Sequence, residues 1–330
     1  MKRRQTPHIA VLGGGTGLSS MLRGLKIYSD NITAIVTVTD DGGGSGILRR
    51  EMHMPPPGDI RNCIQALANA EPAMQAMMNY RFREGILSGQ SLGNLLLAAL
   101  YDMTPSFDSA VAALSQVLAI TGRVLPVTNE GVSLLAYFDD GGVIRGETQI
   151  TSYKRLTDAV IERVALEPDR PPALPAVLDA IAGAEMIVLG PGSLYTSVIP
   201  PLLTDGVADA IRASDAVKVY VMNIMTQDGE TENYTAADHA EALLTHGGEG
   251  LFRFVLANAE EVPQRLAEFY KRQNARPVLL DEERLAAMGL ITETAPVASW
   301  EGGLARHDPA ALAQALMKLY YERRETKKAD

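Results

Sequence analysis

The sequence predicts an α/β fold, Rossmann-like, in which a mostly parallel sheet carries helices on both faces. Helical patterns lie between several apolar runs, an alternation typical of parallel sheets that are covered on both sides. The first two runs each end in a glycine-rich turn, as at the start of nucleotide-binding α/β sheets. The runs that predict strands are Ile9–Leu12, Ile32–Val38, Met186–Leu189, Val217–Met222 and Phe252–Leu256.

The first turn, Gly13-Gly-Gly-Thr-Gly17, predicts an anion-binding loop. Glycine has no side chain, so a phosphate can approach the backbone N–H groups closely. The helix predicted over Leu18–Leu25 adds the positive end of its dipole. Leu18 stands where a Rossmann fingerprint needs its third glycine, and no Lys-Ser or Lys-Thr follows as in a P-loop. An NAD-type site is therefore disfavoured, and a tight turn without a ligand is the other alternative.

The length of 330 residues indicates one large or two medium domains, and we predict a single domain over residues 1–330 with an ordered core at about 8–320. The net charge of −10 disfavours a nucleic-acid partner. The single Cys63 excludes an intrachain disulfide and a thiolate zinc cluster. Met1-Lys-Arg-Arg4 precedes an apolar run too short for a signal peptide, and Leu95–Leu100 is too short to span a bilayer. These features predict a cytoplasmic protein without membrane insertion.

Outside the main strands, the sequence predicts helices over Ile60–Val117 and a small antiparallel β excursion at 124–150. The excursion shows β-branched residues, alternation and an Asp-Asp-Gly-Gly turn. Asp308 is placed to cap a final helix over Pro309–Tyr320, with proline at its first position. The charged tail at 321–330 is expected to be frayed.

Two polar patches follow the second strand. Asp40 and Asp41 stand where a ribose-binding acid would lie; they could also hold Mg²⁺ with a substrate phosphate, or cap the turn. Asp59 is placed to cap a helix that contains Arg61 and Asn62. Arg61 is either a surface arginine or, beside a phosphate loop, a planar fork of donors for a ligand.

Three later turns are candidate ligand contacts. Ser91 is either a helix N-cap or a hydroxyl that meets a ligand oxygen. In the turn Gly190-Pro-Gly-Ser193, Ser193 is not a nucleophile elbow, because Tyr195 replaces the motif's second glycine. This turn is instead predicted to face a phosphate or a sugar. The polar loop Asn223–Glu232 follows another buried strand, a position that commonly carries binding residues.

Near the C-terminus, Arg306 is either an exposed residue before a capped helix or a charge that closes on a diphosphate. A histidine metal site is not predicted. His239 and His246 are seven residues apart, about 10 Å along a helix, which is too far for one ion.

Taken together, these patches resemble the YvcK/CofD-like family, specifically the YvcK branch of gluconeogenesis factors. The resemblance runs from about His8 to Tyr320, and eight motifs in order make it specific. They are Gly13–Gly17, Thr39–Gly46, Pro56–Asn62, Ser91–Asn94, Gly190–Ser197, Asn223–Gln227, Tyr234–His239 and Arg306–Asp308.

The resemblance implies a CofD-like fold and a regulator of cell shape and of growth on gluconeogenic carbon. Its ligand would be a UDP-sugar, above all UDP-N-acetylglucosamine, with no required cofactor. The implied protein partners belong to envelope synthesis, and a homodimer is one candidate assembly. More distant CofD relatives are 2-phospholactate transferases that use a guanylylated donor, so a nucleotide-dependent transferase with Mg²⁺ is the alternative.

Carried onto this chain, the resemblance implies that Gly14, Gly15, Thr16 and Gly17 hold the diphosphate. Asp40 and Asp41 would face the reaction or sugar end of the ligand. The resemblance implies that Asn94 and Ser193 line the crevice, and the remaining ligand-binding candidates from the polar turns are Arg61, Asn62, Ser91, Gly192 and Asn223.

At the C-terminal side, the resemblance implies that Arg306 grips the nucleotide sugar and that Tyr270 stacks nearby. Three residues depart from the family pattern. Gln90 replaces a usual histidine, Thr39 a usual alanine and Gly44 a usual serine. These departures leave ligand identity and any catalytic step open, including Asp40 and Asp41 as catalytic candidates.

Overall fold

The structure is a computed structural model that describes residues 6–329. Its strands and helices alternate along most of the chain. In chain order the strands are β1 (Ile9–Gly13), β2 (Ile32–Val36), β3 (Arg123–Pro126), β4 (Ser133–Phe138), β5 (Val143–Arg145), β6 (Ile161–Glu167), β7 (Met186–Leu189), β8 (Val217–Val221), β9 (Phe254–Asn258), β10 (Ile291–Ala295), β11 (Ala298–Ser299) and β12 (Arg306–His307).

The helices cover the sheet and fill the connections between strands. In chain order they are α1 (Gly15–Leu25), α2 (Gly43–Met52), α3 (Gly58–Leu67), α4 (Pro72–Asn79), α5 (Leu92–Met103), α6 (Phe107–Val117), α7 (Glu147–Leu156), α8 (Pro175–Ala182), α9 (Val207–Ala213), α10 (Ala236–Gly247), α11 (Gln264–Lys271), α12 (Glu282–Ala287) and α13 (Pro309–Ala329). Short 3₁₀ or π turns lie at Leu194–Val198, Pro200–Leu203 and Glu301–Gly303.

The central sheet has seven strands in the order β10-β9-β8-β7-β1-β2-β3, and every neighbouring pair is parallel. Every residue of β1, β2 and β7 is buried. Because successive strand residues point to opposite faces, this pattern requires cover on both sides. The predicted Rossmann-like α/β fold is confirmed.

Two strands of the main sheet carry no strong apolar run: sequence reasoning misses β10 and assigns β3 to the antiparallel excursion. β3 and β10 lie at the two edges and are only partly buried. An edge strand buries less surface than a central one, so its sequence shows a weaker hydrophobic signal.

The small antiparallel sheet is present, but its predicted bounds of 124–150 are wrong. It consists of β5-β4-β6 and therefore includes Ile161–Glu167. Arg123–Pro126 belongs to the main sheet instead, where it pairs with β2. β4 alternates buried and partly exposed residues, as expected when one face of a sheet packs on the core.

The final helix begins as predicted, because Asp308 Oδ1 accepts a hydrogen bond from the Ala311 N–H at 2.7 Å. Fraying of the tail from residue 321 stays a prediction. The helix continues to Ala329, Arg323 pairs with Glu293, and Arg324 lies 3.2 Å from Glu185.

Within residues 6–329, no helix has both the length and the apolar character needed to cross a bilayer.

Candidate functional site

The candidate site lies where the order of the sheet reverses. From β1 the chain proceeds to β2 and β3 on one side, whereas β7 to β10 continue on the other. At the end of β1, Gly13 O accepts from Thr37 N at 3.0 Å, and Leu12 O accepts from Gly190 N at 2.9 Å. In open α/β sheets a ligand crevice forms outside the carboxyl ends of strands at such a switch point. The turns after β1, β2 and β7 therefore share one crevice, as predicted.

The first glycine loop packs directly against the turn after β7. A Cβ added to Gly17 would lie 2.8 Å from Pro191 O, and one added to Gly192 would lie 3.3 Å from Gly14 O. Only a residue without a side chain allows the Gly17 contact, because the neighbour is backbone. The helix α1 has Gly14 as its N-cap residue and no side-chain cap, so its first amides are available to another acceptor.

One such acceptor is Asp59, a residue whose predicted role was wrong. It was predicted to cap α3, but that helix has no side-chain cap. Instead, Asp59 accepts a hydrogen bond from the Gly15 N–H, and its Oδ2 would lie 2.5 Å from a Cβ at Gly14. Burial raises the pKa of Asp59 to about 6, against the lowering effect of that hydrogen bond; Asp40 raises it further. Asp59 therefore lies against the first glycine loop.

Asp40 and Asp41 point to different partners. Asp40 Oδ1 accepts from the Gly42 N–H at 2.9 Å, and its Oδ2 lies toward the start of α3, 3.3 Å from where a Cβ of Gly58 would be. Asp41 Oδ1 accepts from the N–H and hydroxyl of Thr148 at 3.0 and 2.7 Å. Asp40 thus faces the crevice near Asp59, while Asp41 ties the β2 turn to α7.

Two further carboxyl groups approach the crevice that sequence reasoning did not single out. Glu147 is the first residue of α7, and burial together with the charges of Asp40 and Asp59 holds its pKa well above the usual range. Glu230 is buried, and its Oε1 accepts from the Thr196 N–H at 3.0 Å. Burial raises the pKa of Glu230 to about 7. Glu230 lies inside the polar loop predicted to bind, but no local signal marks Glu147.

Arg61 and Asn62 interact with each other. Arg61 is buried, its Nη2 donates to Asn62 Oδ1 at 2.7 Å, and its Nη1 donates to Met78 O at 3.3 Å. Burial lowers the pKa of the guanidinium. The arginine is therefore not a surface residue, and its fork holds the end of α4 beside α5.

The start of α5 presents two buried amide oxygens to the same region. Ser91 is the N-cap, because its Oγ accepts from the Asn94 N–H at 3.2 Å. Gln90 and Asn94 are 4% and 3% exposed, and neither Gln90 Oε1 nor Asn94 Oδ1 has a hydrogen-bond partner within residues 6–329. Gly44 lies next to this Gln90 oxygen, since an added Cβ would be 2.9 Å away. An unpaired buried acceptor costs about 1–3 kcal/mol, so these oxygens suit ligand donors.

The turn after β7 is held by the loop after β8. Ser193 Oγ donates to Gln227 Oε1 at 2.7 Å, and Asn223 Nδ2 donates to Gly192 O at 2.9 Å. Ser193 is therefore bonded to an amide oxygen, which does not activate a hydroxyl as a base would. These bonds fix the turn against the first glycine loop.

Tyr270 of α11 contacts the segment that carries Arg306, and this segment returns to the end of β8. The Ala305 N–H donates to Tyr270 Oη at 3.0 Å, and His307 Nε2 donates to Met222 O at 3.1 Å. Burial lowers the pKa of His307 to about 4, so the imidazole is neutral. β12 also contacts α1, and the Arg306 side chain is exposed. The structure thus places Arg306 on a segment that packs against α1.

The donor set suits Mg²⁺ only in combination with a phosphate ligand. Within residues 6–329, no three His, Cys, Asp or Glu side chains are grouped to hold a metal ion. Mg²⁺ usually binds through one or two carboxylates together with substrate phosphates and waters. Asp40 and Asp59 would provide those carboxylates beside the anion loop.

The fold defines a Rossmann-like α/β protein with a glycine-rich loop at its topological switch point. Residues 9–298 match the family described as 2-phospho-L-lactate transferase CofD. The chain belongs to this CofD family, in its YvcK branch of gluconeogenesis factors.

Close relatives match almost end to end. A protein of Thermoanaerobacterium thermosulfurigenes is 50% identical over 95% of this chain and 97% of its own length. The gluconeogenesis factor of Bacillus subtilis is 46% identical over 96% of this chain and 99% of its own. A crystal structure of a UPF0052 family member from Bacillus halodurans superposes with a TM-score of 0.90. It is 43% identical and covers 94% of this chain and 99% of that chain.

Proposed function

We propose that this protein is a cytoplasmic gluconeogenesis factor that binds a nucleotide sugar of the UDP-N-acetylglucosamine type and regulates cell shape and central carbon metabolism. The observation that carries this proposal is the pair of glycine turns pressed together at the switch point. The start of α1 lies there against the backbone of Gly192. A Cβ added to Gly17 would be only 2.8 Å from Pro191 O. Such a cradle suits a diphosphate.

The remaining polar groups suit the sugar and the far end of the ligand. Gln90 Oε1 and Asn94 Oδ1 would accept from sugar hydroxyl or amide groups, and Arg306 would contact the diphosphate from the other side. Bound ligand would fix the Arg306 segment against α1. A regulator requires different ligand affinity in two conformations, so this segment is the proposed element that passes the signal to envelope-synthesis proteins.

Calorimetric titration of UDP-N-acetylglucosamine, with and without Mg²⁺, tests the proposal. Arg306→Ala should weaken binding by roughly 1.5–3 kcal/mol, more than tenfold, because one charge-assisted contact is lost. Arg253→Ala is the matched control, since that exposed arginine directly precedes β9, at the opposite end of the sheet. Saturable binding without metal, weakened only by the Arg306 change, is the expected result; absence of binding in both conditions would overturn the proposal.

The second candidate is a 2-phospholactate-type transferase that uses a nucleotide donor and Mg²⁺. The proximity of Asp40 and Asp59 to the anion loop favours it, together with the family's description. In that case Asp40 and Asp59 would bind Mg²⁺ with the phosphates, and Mg²⁺ would neutralise charge that develops during transfer. Mg²⁺-dependent turnover that Asp40→Asn abolishes would establish the transferase over the regulator.

A further inference from the structure

Glu230 is a buried carboxyl group that joins two loops of the crevice. It lies in the loop after β8 and is only 2% exposed. Its Oε1 accepts from the Thr196 N–H at 3.0 Å, within the short turn Leu194–Val198 that follows the glycine turn after β7. The Thr196 hydroxyl and the amides of Leu194 and Tyr195 act as further donors to the same carboxyl group. Glu230 therefore holds the loop after β8 onto this turn.

The turn that Glu230 holds lies against the other walls of the crevice. A Cβ added to Gly15 would lie 3.9 Å from Ser197 Oγ, and one added to Gly192 would lie 3.4 Å from Ser197 Cβ. On another side, Thr196 O accepts from the Thr39 hydroxyl at 3.3 Å. The turn thus contacts the first glycine loop, the glycine turn after β7 and the acidic loop after β2, so its movement would change all three.

Glu230 forms no ion pair within residues 6–329. The cations of α7 pair instead with its neighbours in the loop, Lys154 with Glu232 at 3.2 Å and Arg155 with Asp228 at 2.8 Å. Glu230 Oε2 has no hydrogen-bond partner among these residues. A carboxylate that is buried without a counter-charge is costly, so burial favours the neutral acid. Burial raises the pKa of Glu230 to about 7, although the donors on the turn act to lower it.

The titratable groups that face Glu230 within the described residues are three tyrosines and one carboxyl group. They are Tyr195 on the turn, Tyr220 of β8, Tyr234 ahead of α10 and Glu147 of α7. Burial raises the pKa of each tyrosine, so the phenols are neutral near pH 7. A substitution of Glu230 leaves Glu147 in place, so the difference between the two proteins reports on Glu230.

We propose that Glu230 is a positioning residue that takes up a proton when an anionic ligand binds in the crevice, and that the neutral acid keeps the loop after β8 closed on the turn Leu194–Val198. The proposal rests on the proposed nucleotide-sugar function and adds its regulation. Oε2 is the oxygen that binds the proton, because Oε1 already accepts from the turn.

Two effects couple the proton to the ligand, and they have the same sign. The negative charge of a bound diphosphate disfavours a second negative charge nearby, and closure of the loop disfavours an ionised carboxylate in its interior. Ligand affinity should therefore rise as pH falls through about 7, and binding should draw a proton from solvent.

Calorimetry in two buffers of different ionisation enthalpy measures the protons taken up on binding. The probes are UDP-N-acetylglucosamine and inorganic pyrophosphate. A tenfold coupling between proton and ligand gives an uptake of about half a proton at pH 7.5, and Glu230→Gln should remove that share. Because glutamine is neutral and keeps an acceptor for Thr196, this variant should bind up to about tenfold more tightly than wild type at pH 8.5 and about equally at pH 6. A merely structural role would weaken binding by the same factor at both pH values.

Glu249→Gln is the control, because that exposed glutamate lies between α10 and β9 at the opposite end of the sheet. It should take up as many protons as the wild type. The inference is overturned if Glu230→Gln keeps the wild-type uptake, or if its affinity relative to wild type is the same at both pH values. If pyrophosphate shows the Glu230-dependent uptake and the nucleotide sugar does not bind, the proposed function fails and the inference stands. If neither probe binds, both fail.

Urea unfolding tests the carboxyl group without a ligand and shows whether the variant folds. The folded protein keeps the Glu230 proton to higher pH than the unfolded chain, so the stability that this group contributes is lost as pH rises through about 7. Glu230→Gln should therefore unfold at a higher urea concentration than wild type at pH 8, and at about the same concentration at pH 4. An equal difference at the two pH values would overturn the inference.

Discussion

Replacing Asp59 by asparagine should stabilise the protein at neutral pH, although the residue lies in the candidate site. The pKa of Asp59 is about 6 in the folded protein, against an ordinary value of 3.8. The folded state therefore keeps the proton to higher pH than the unfolded state, and the carboxyl group's contribution to stability falls as pH rises from 3.8 to about 6. At about 1.36 kcal/mol for each pH unit, the cost at pH 7 is about 3 kcal/mol.

Asparagine removes this cost while its oxygen can still accept the Gly15 N–H. Urea unfolding of the wild type and Asp59→Asn at several pH values between 4 and 8 measures the difference. The two proteins should be about equally stable at pH 4, and the variant should be up to about 3 kcal/mol more stable at pH 7. Taking the difference at each pH cancels the titration of all other groups.

Asp108→Asn is a control for which we expect the opposite change in stability at neutral pH. Burial acts to raise the pKa of Asp108, but hydrogen bonds from Ser106 and Asn129 outweigh it and lower the pKa. This variant should lose stability at neutral pH and match the wild type in acid. The reasoning on Asp59 is refuted if Asp59→Asn is less stable than wild type at pH 7, or if the difference does not change with pH.

Two other changes test the packing around the site. His307→Gln keeps a donor for Met222 O and removes a group whose pKa falls from 6.5 to about 4; relative to wild type, it should gain about 3 kcal/mol on going from pH 7 to pH 4, measured by urea unfolding. Gly24→Ala should destabilise by about 1–3 kcal/mol, because the added Cβ would lie 1.8 Å from Pro309 O where α1 crosses α13. Gly131→Ala, with open space around the added carbon, should change thermal stability little, and equal effects of the two glycine changes would contradict the packing argument.

The central sheet could be predicted from the sequence because its inner strands are buried on both faces. Ile9–Gly13 and Met186–Leu189 have no exposed residue, so each reads as an unbroken apolar run. The edge strand Ile291–Ala295 contains Thr292, Glu293 and Thr294 and is not fully buried at any position. Its pairing with β9 depends on the rest of the fold and leaves no local pattern.

The glycine turns were predictable for the same kind of reason, since close backbone approach restricts the residue type. The positions of the carboxyl groups near these turns could not be predicted from the sequence. Asp59 follows Gly58 and precedes Arg61, a pattern typical of a helix start, yet its side chain reaches Gly15, far away in sequence. Glu147 reaches the crevice only because the antiparallel sheet folds α7 over it, where Thr148 bonds Asp41. Such contacts depend on tertiary placement.

The acidic groups around the anion loop determine how a diphosphate could bind. Asp40 acts to raise the pKa of Asp59, Asp40 and Asp59 both raise the pKa of Glu147, and Asp59 already occupies the Gly15 amide. A bound diphosphate adds negative charge at this point, and that charge could be balanced in three ways. A proton could bind to Asp59, a cation could bind between the carboxylates and the phosphate, or Arg306 could supply a positive charge. If a proton on Asp59 balances the charge, the affinity for the diphosphate rises as pH falls through about 6. If a cation balances it, the affinity depends on the Mg²⁺ concentration.

A contact from Arg306 alone would make the affinity depend on neither pH nor Mg²⁺, because arginine is not deprotonated in proteins. In a regulator that only binds its ligand, the arginine is enough to balance the phosphate charge. Phosphoryl-group transfer, in contrast, needs a cation where negative charge develops during the reaction. The pH and Mg²⁺ dependence of one affinity therefore distinguishes the two proposed functions more directly than a search for products, because it measures which charge balances the phosphate.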